Sequence, residues 1–222
     1  TISRKDGLAE NSTTSIFNKD CRECPRLSCF LDNIQERYPD YYCRPVPQFG
    51  DSDARFLIVG LAPGMHGANR SGRPFTGDHA GIWLYQMLHK YGFSDRDHSE
   101  SADDNLALID CRLTNAVKCL PPDNKPSGVE VNTCNKYLAN ELDSLPDKSV
   151  VMALGGIAHR AIIKALGERQ VEFKFAHAAI HNLSGFHLID SYHCSRYNTN
   201  TRRLTEPMFE EIFVIARQML DK

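Results

Sequence analysis

The sequence predicts an α/β fold, a three-layer αβα sandwich around a central four-stranded parallel sheet, organised as one domain over residues 1–222. Three observations predict it. Four short apolar runs, at residues 55–61, 106–117, 150–154 and 186–192, have the length of buried strands and stop at turn residues or polar clusters. Helix-like segments separate them, which is the alternation of a parallel sheet covered on both faces. The reactive side chains of three loops follow runs one, two and four, at the strand ends where open α/β sheets bind ligands. With 222 residues at 41% hydrophobic composition, the chain can bury a substantial core.

Residues 1–16 are polar and mixed, and read as a loose arm or an early helix within an N-terminal arm of about the first 50 residues. Cys21-Arg22-Glu23-Cys24-Pro25 then places two thiols on one turn, with Pro25 fixing the bend. Residues 36–54, with three tyrosines and three prolines, read as an irregular connection into the first strand. That strand, Arg55–Leu61, leads into a loop in which Gly64, Gly67, Gly72 and Gly77 are interleaved with Arg70, Arg73, Phe75, Thr76 and Asp78. Glycines let a ligand approach the backbone, and the helix expected at about 79–91 offers free N–H groups at its start. Residues 94–105, SDRDHSESADDN, read as a solvated acidic loop facing away from any polyanion.

The second strand region ends at Thr114-Asn115-Ala116-Val117-Lys118-Cys119, and Ser127-Gly128-Val129-Glu130 has the spacing of a capping box. The helix it opens carries Cys134 on its second turn. Val150–Leu154 is the third strand, followed by a helix from Ile157 to about Leu166 with Gly167 as its stop. Phe186–Tyr192 is the fourth, and His193 follows it directly. Thr205 caps a last helix whose stripe is Met208, Ile212, Ile215 and Met219.

Cysteine usage points to a metal. Eight cysteines in a chain expected to be intracellular suggest ligands or buried thiols before disulfides. Cys21 and Cys24, with Cys119 and Cys134, supply four soft ligands from two separated segments, a set that satisfies either tetrahedral zinc or an iron–sulfur cluster. Cys29, Cys43, Cys111 and Cys194 read as structural, with Cys29 and Cys43 the first substitutes for a ligand. The formal net charge of −2 places any nucleic-acid surface on a local basic face. A start without a basic and apolar leader, and the lack of a ~20-residue apolar run, predict a cytoplasmic protein with no membrane association.

The stretches GLAPGMHGANRSGRPFTGD (60–78), TNAVKC (114–119) and YHCSRYNT (192–199) resemble the motifs of the uracil-DNA glycosylase superfamily, and within it the fifth, type-B family. The resemblance spans nearly the whole chain. It implies a monofunctional glycosylase that flips a deaminated base out of DNA, hydrolyses its N-glycosidic bond and leaves an abasic site. It also implies a [4Fe–4S] cluster on Cys21, Cys24, Cys119 and Cys134. Uracil-containing DNA is the expected partner, damaged purines such as hypoxanthine are possible further substrates, and a monomer is expected.

Residue by residue, the resemblance gives Phe75 a stacking role on the base. Asn115 reads the O4 and N3–H edge of uracil, which one amide matches and cytosine reverses. His193 supports O2 as charge develops there, with backbone N–H groups near Ala62 and Gly64. Asp78 orients or activates the water that attacks C1′. The superfamily's acidic or amide residue after the first-strand glycine is missing, because Leu61, Ala62 and Pro63 stand there, and the type-B pattern has the same gap. Asp78 is also a good helix N-cap. Ser195, Arg196 and Tyr197 face the DNA, the last two entering the stack where the base leaves. Arg70, Arg73, Arg202 and Arg203 supply phosphate contacts. Cys194 stands where the family's last motif usually has proline.

Three other readings compete. The narrower fourth family is disfavoured by the HGANRSGRPFTGD wording. A non-catalytic Fe–S nucleic-acid binding protein of the same fold would bind without releasing base. A phosphate-cradling hydrolase lacks a Lys-Ser/Thr pair after the glycines and clustered carboxylates for two metals.

Overall fold

The computed structural model describes residues 17–183 and 185–222. The arm or early helix expected at 1–16 lies outside the described residues. The expected strands form at β2 (Phe56–Gly60), β3 (Cys111–Asn115), β4 (Ser149–Leu154) and β6 (Phe186–Ser191). They lie parallel in the order β3-β2-β4-β6, with Gly60 paired to Asn115 and Leu154 to Ser191 at their carboxyl ends. The chain leaves β2 for β3 on one side and returns to β4 on the other, so the end of β2 is the switch point of the sheet.

The strand count needs a correction. Among the described residues the sheet has six strands, because two short antiparallel rims, β1 (Phe49–Gly50) beside β3 and β5 (Ile180–Asn182) beside β6, extend the parallel four. Two and three residues are too few to show a period of two, so neither rim stands out from loop sequence.

Successive β2 side chains point to opposite faces and build two cores. Phe56 and Ile58 pack with Leu84, Tyr85 and Leu88 of α3 (His79–Lys90) and with Phe209, Ile212 and Phe213 of α7 (Glu206–Leu220). Leu57 and Val59 pack with Leu138 and Leu142 of α4 (Gly128–Asp143) and with Ala158 and Ile162 of α5 (Gly156–Ala165). Helices therefore cover both faces. The buried stripe of α7 is Phe209, Ile212, Phe213, Ala216 and Leu220, with Met208, Ile215 and Met219 only half-buried at its flanks, and the Thr205 side chain makes no capping bond.

The capping box of α4 forms in both directions: Ser127 Oγ accepts from Glu130 N–H and Glu130 Oε2 accepts from Ser127 N–H. Glu130 then works twice, since Arg26 donates two 2.7 Å bonds to its carboxylate. Arg26 belongs to α1 (Pro25–Arg37), a helix within the stretch expected to be an arm, whose Leu31 and Ile34 pack on Cys43 and Leu120. Among the described residues, no helix is long and apolar enough to cross a membrane.

Candidate active site

A cleft of about 570 Å³ opens over the carboxyl ends of β2, β3 and β4 and is lined by Ala62, Gly64, Phe75, Asp78, Asn115, His193, Ser195 and Arg196 among others. Side chains from three loops, far apart in sequence, thus meet at the switch point. The volume lies in the range of small-ligand sites, ~300–1,000 Å³.

Phe75 forms part of the cleft wall from a strained position, φ +55°, with its ring against Gly60. A Cβ at residue 60 would overlap both that ring and Asn115 Oδ1, so the glycine lets ring and amide come together at the strand end. Asn115 is buried, and its amide has no described protein partner. Neither the Ala62 nor the Gly64 N–H donates to a described residue. A cleft wall with an open amide and open N–H groups can hydrogen-bond a polar ligand.

Asp78 fills the expected N-cap and also turns toward the cleft. One oxygen, Oδ1, accepts from Gly81 N–H at 2.8 Å and starts α3, while Oδ2 faces Gly64 and Gly67 at the cleft. His193 leaves β6 with its Nδ1 buried and unpartnered among the described residues. Burial pushes its pKa below the usual histidine value, with the Asp78 carboxylate partly offsetting the shift. The ring is therefore neutral at neutral pH.

Ser195 lines the cleft and also caps the short helix α6 (Arg196–Asn200), accepting from Asn198 N–H. Asn198 Nδ2 donates to the His193 carbonyl at 2.8 Å, so the loop with Cys194 in place of proline is braced by hydrogen bonds. Arg196 is exposed at the rim and Tyr197 projects with 72% of its surface exposed. Arg70 is exposed near Gly77, and Arg202 is exposed at φ +57°; neither lines the cleft.

Arg73 is placed differently from the reading above. It is 4% exposed, its guanidinium lies 2.6 Å from Asp104, reaches Thr76 and Ser99, and sits over the Phe49 ring. A group so enclosed braces the loop from inside and has no face left for a phosphate. The 94–105 segment is mostly exposed, as expected, but it is anchored at two points, because Ser99 and Asp104 fold back onto Thr76 and Arg73. A buried cation needs a counter-charge, and the sequence does not say which of several aspartates supplies it.

Two histidines escaped the sequence reading. His66, in the cleft wall, pairs through Nδ1 with Tyr41 OH at 2.8 Å, and His79 Nε2 lies 2.9 Å from Thr199 Oγ1, joining α3 to α6 across the cleft. The position of His66 among the loop glycines was a usable signal; the His79 contact spans 120 residues and left none.

Cys21, Cys24, Cys119 and Cys134 line one small pocket with Leu27, Pro45, Val117 and Tyr137, and Lys118 N–H donates to Cys134 Sγ at 3.3 Å. Four soft donors from two segments, in an apolar surround with an N–H on sulfur, fit a thiolate-bound metal or cluster. Cys29 is exposed, and Cys43, Cys111 and Cys194 are buried elsewhere.

The profile of the uracil DNA glycosylase superfamily matches residues 47–216, which includes every cleft residue named above. The chain belongs to that superfamily. It is 45% identical to a type-5 uracil-DNA glycosylase of Thermus thermophilus, over 90% of this chain and 93% of that one. It is 41% identical to a type-5 uracil-DNA glycosylase of Pyrobaculum aerophilum, over 86% of this chain and 85% of that protein. A type-4 uracil-DNA glycosylase of Sulfurisphaera tokodaii is 30% identical, over 77% of this chain and 74% of its own length. Within the superfamily the chain thus stands with the type-5 enzymes.

Proposed function

We propose that the protein is a monofunctional uracil-DNA glycosylase that hydrolyses the N-glycosidic bond of a flipped uracil and leaves the phosphodiester backbone intact. The observation that carries this reading is the convergence of the open Asn115 amide, the unpartnered His193 Nδ1 and the free oxygen of Asp78 on one cleft. In that cleft the base stacks on Phe75. Asn115 Oδ1 accepts from N3–H and its Nδ2 donates to O4, a pairing that cytosine reverses. As the C1′–N1 bond lengthens, its electron pair moves onto the base. Neutral His193 and the Ala62 and Gly64 N–H groups stabilise the charge at O2. Asp78 Oδ2 holds a water whose oxygen bonds to C1′; the water supplies hydroxyl to the sugar and one proton to solvent or the departing base.

Arg196 and Tyr197 enter the gap left by the base, and Arg70 and Arg202 contact phosphates. Other deaminated bases, hypoxanthine included, are proposed as further substrates, and the protein works as a monomer. The four-cysteine pocket holds a [4Fe–4S] cluster, which ties the first helix to α4 and supplies no group to the reaction. Arg26 and Glu130 span the same two segments and share that task.

The test is release of free base from one uracil in a labelled duplex, followed by strand scission with and without alkali. Scission only after alkali supports the reading. Binding without release, in protein holding its cluster, would favour a non-catalytic binding protein of the same fold.

A further inference from the structure

Behind the cleft, outside its walls, three histidines surround the end of β6. Asp190, fully buried, receives His159 Nδ1 at 2.7 Å on Oδ1 and His181 Nε2 at 3.0 Å on Oδ2. The other nitrogen of His159, Nε2, lies 2.9 Å from the Phe173 carbonyl oxygen. Both ring nitrogens of His159 therefore face acceptors, and only an imidazolium can donate to both. His177 has the opposite surroundings. Its Nδ1 accepts from Tyr192 N–H at 3.1 Å, and its Nε2 lies 3.3 Å from the Met208 carbonyl, so it must be neutral with the proton on Nε2.

These contacts lead to His193. Tyr192 is its chain neighbour, and the His177 ring stacks on the Tyr192 ring at 5.0 Å. On the other side, the backbone N–H of His159 donates to the Gly155 carbonyl at 3.1 Å, and the Gly155 backbone N–H donates to the Ser191 carbonyl at 2.8 Å. Gly155 holds φ +95°, and a Cβ there would lie 3.5 Å from His193 Cβ.

We propose that His159 and His177 are positioning residues for His193, holding the exit of β6 through an imidazolium on one side and a neutral imidazole on the other. The inference rests on the role given to His193 above. The charges around each ring support it. At His159, burial opposes the proton, but the hydrogen bond and charge of Asp190 outweigh it and the pKa is raised; Arg160 opposes weakly, and His181 and the edge of Phe175 complete the surround. At His177, burial lowers the pKa against weaker support from the Met208 carbonyl and Glu211. The His159 contribution is present below the unfolded value, near 6.5, and is lost as pH rises through its raised folded pKa. The His177 contribution is present above that value and is lost as pH falls through its lowered one. The exit of β6 is therefore held best between the two.

Nitrogen NMR of the full chain with 15N-labelled histidine reads the protonation states directly, with no dependence on catalysis. The expected result at pH 7 is protons on both nitrogens of His159 and on Nε2 alone of His177. Single-turnover uracil release from pH 5 to 9 reads the coupling. His177→Gln, whose amide accepts and donates in the same directions without titrating, keeps the pH 7 rate within about fivefold and weakens the acid-side fall. His159→Gln, which loses a charge-assisted bond, slows release about tenfold or more at pH 7. A neutral His159 at pH 7 would overturn the proposal. So would an acid-side fall unchanged in His177→Gln while His193→Ala is slow, or one equivalent of zinc that His181→Ala removes. Unimpaired release by His193→Ala would instead remove the role of His193, whatever the NMR result.

Discussion

The Asp78 carboxylate occupies the space that a side chain on Gly67 would need: a Cβ built at residue 67 overlaps Oδ2 and the carboxyl carbon of Asp78. The opposite oxygen is held by Gly81 N–H at the start of α3. One side chain therefore serves helix and cleft at once, and its position is fixed from both sides.

The two tasks of Asp78 are separable. Asp78→Asn keeps an oxygen for the Gly81 N–H, so unfolding free energy should stay within about 0.5 kcal/mol while base release slows about 10²–10⁴-fold. Asp78→Ala should lose a similar rate and a further ~1 kcal/mol of stability. Gly67→Ala should push the carboxylate aside and slow release without removing it. Chemical denaturation and single-turnover kinetics on the three variants check this, and a normal rate in Asp78→Asn would dismiss the carboxylate from the reaction.

Arg73 and Asp104 give a prediction in acid. Burial works against the Asp104 charge, but the Arg73 hydrogen bond and the N–H groups of Leu106, Glu100 and Ser101 outweigh it and hold the carboxyl well below its usual range. The stability this gives is present above the unfolded aspartate value, about 3.9, and is lost as pH falls below it. Asp104→Asn should flatten the acid side of the stability curve. Arg73→Met, leaving a half-buried carboxylate without its cation, should cost about 2–3 kcal/mol at pH 7. Urea unfolding between pH 2 and 7 measures both.

Among the arginines, Arg196 and Arg70 should act on DNA binding. Replacing either by alanine should weaken affinity with unfolding free energy unchanged within about 0.5 kcal/mol, and should lower the salt slope of binding by about one phosphate contact. Affinity titrations on uracil duplex at several salt concentrations test this. An unchanged slope for both variants would move the phosphate face elsewhere.

For the cysteines, iron, sulfide and zinc analysis of purified protein separates the cluster from a zinc site. Four irons and four sulfides per chain are expected for a [4Fe–4S] centre. Cys119→Ser or Cys134→Ser should lose them, while Cys29→Ser should not. Because Arg26 and Glu130 also join the first helix to α4, protein stripped of metal should keep its sheet and loosen first at residues 21–37.

The parallel centre of the sheet was legible because strands buried on both faces are written as continuous apolar runs, as Phe56–Val59 and Val150–Leu154 are. The cleft was legible because residues following parallel strands must gather at one edge. The rims β1 and β5 were too short to carry a pattern, and α1 was hidden by the cysteine and proline at its start. What sequence did not yield was pairing over distance. Nothing local to Arg73 names Asp104, and nothing local to His159 names Asp190 or the Phe173 carbonyl; these partners are chosen by the packed fold.

The two rims of the sheet bear on how copies of the protein meet one another. A free strand edge recruits the edge of another chain, and long flat edges polymerise. Here the outermost strands offer only two and three residues of backbone, both antiparallel to the parallel four. Among the described residues, a neighbouring copy therefore finds almost no backbone at either rim on which to add a strand.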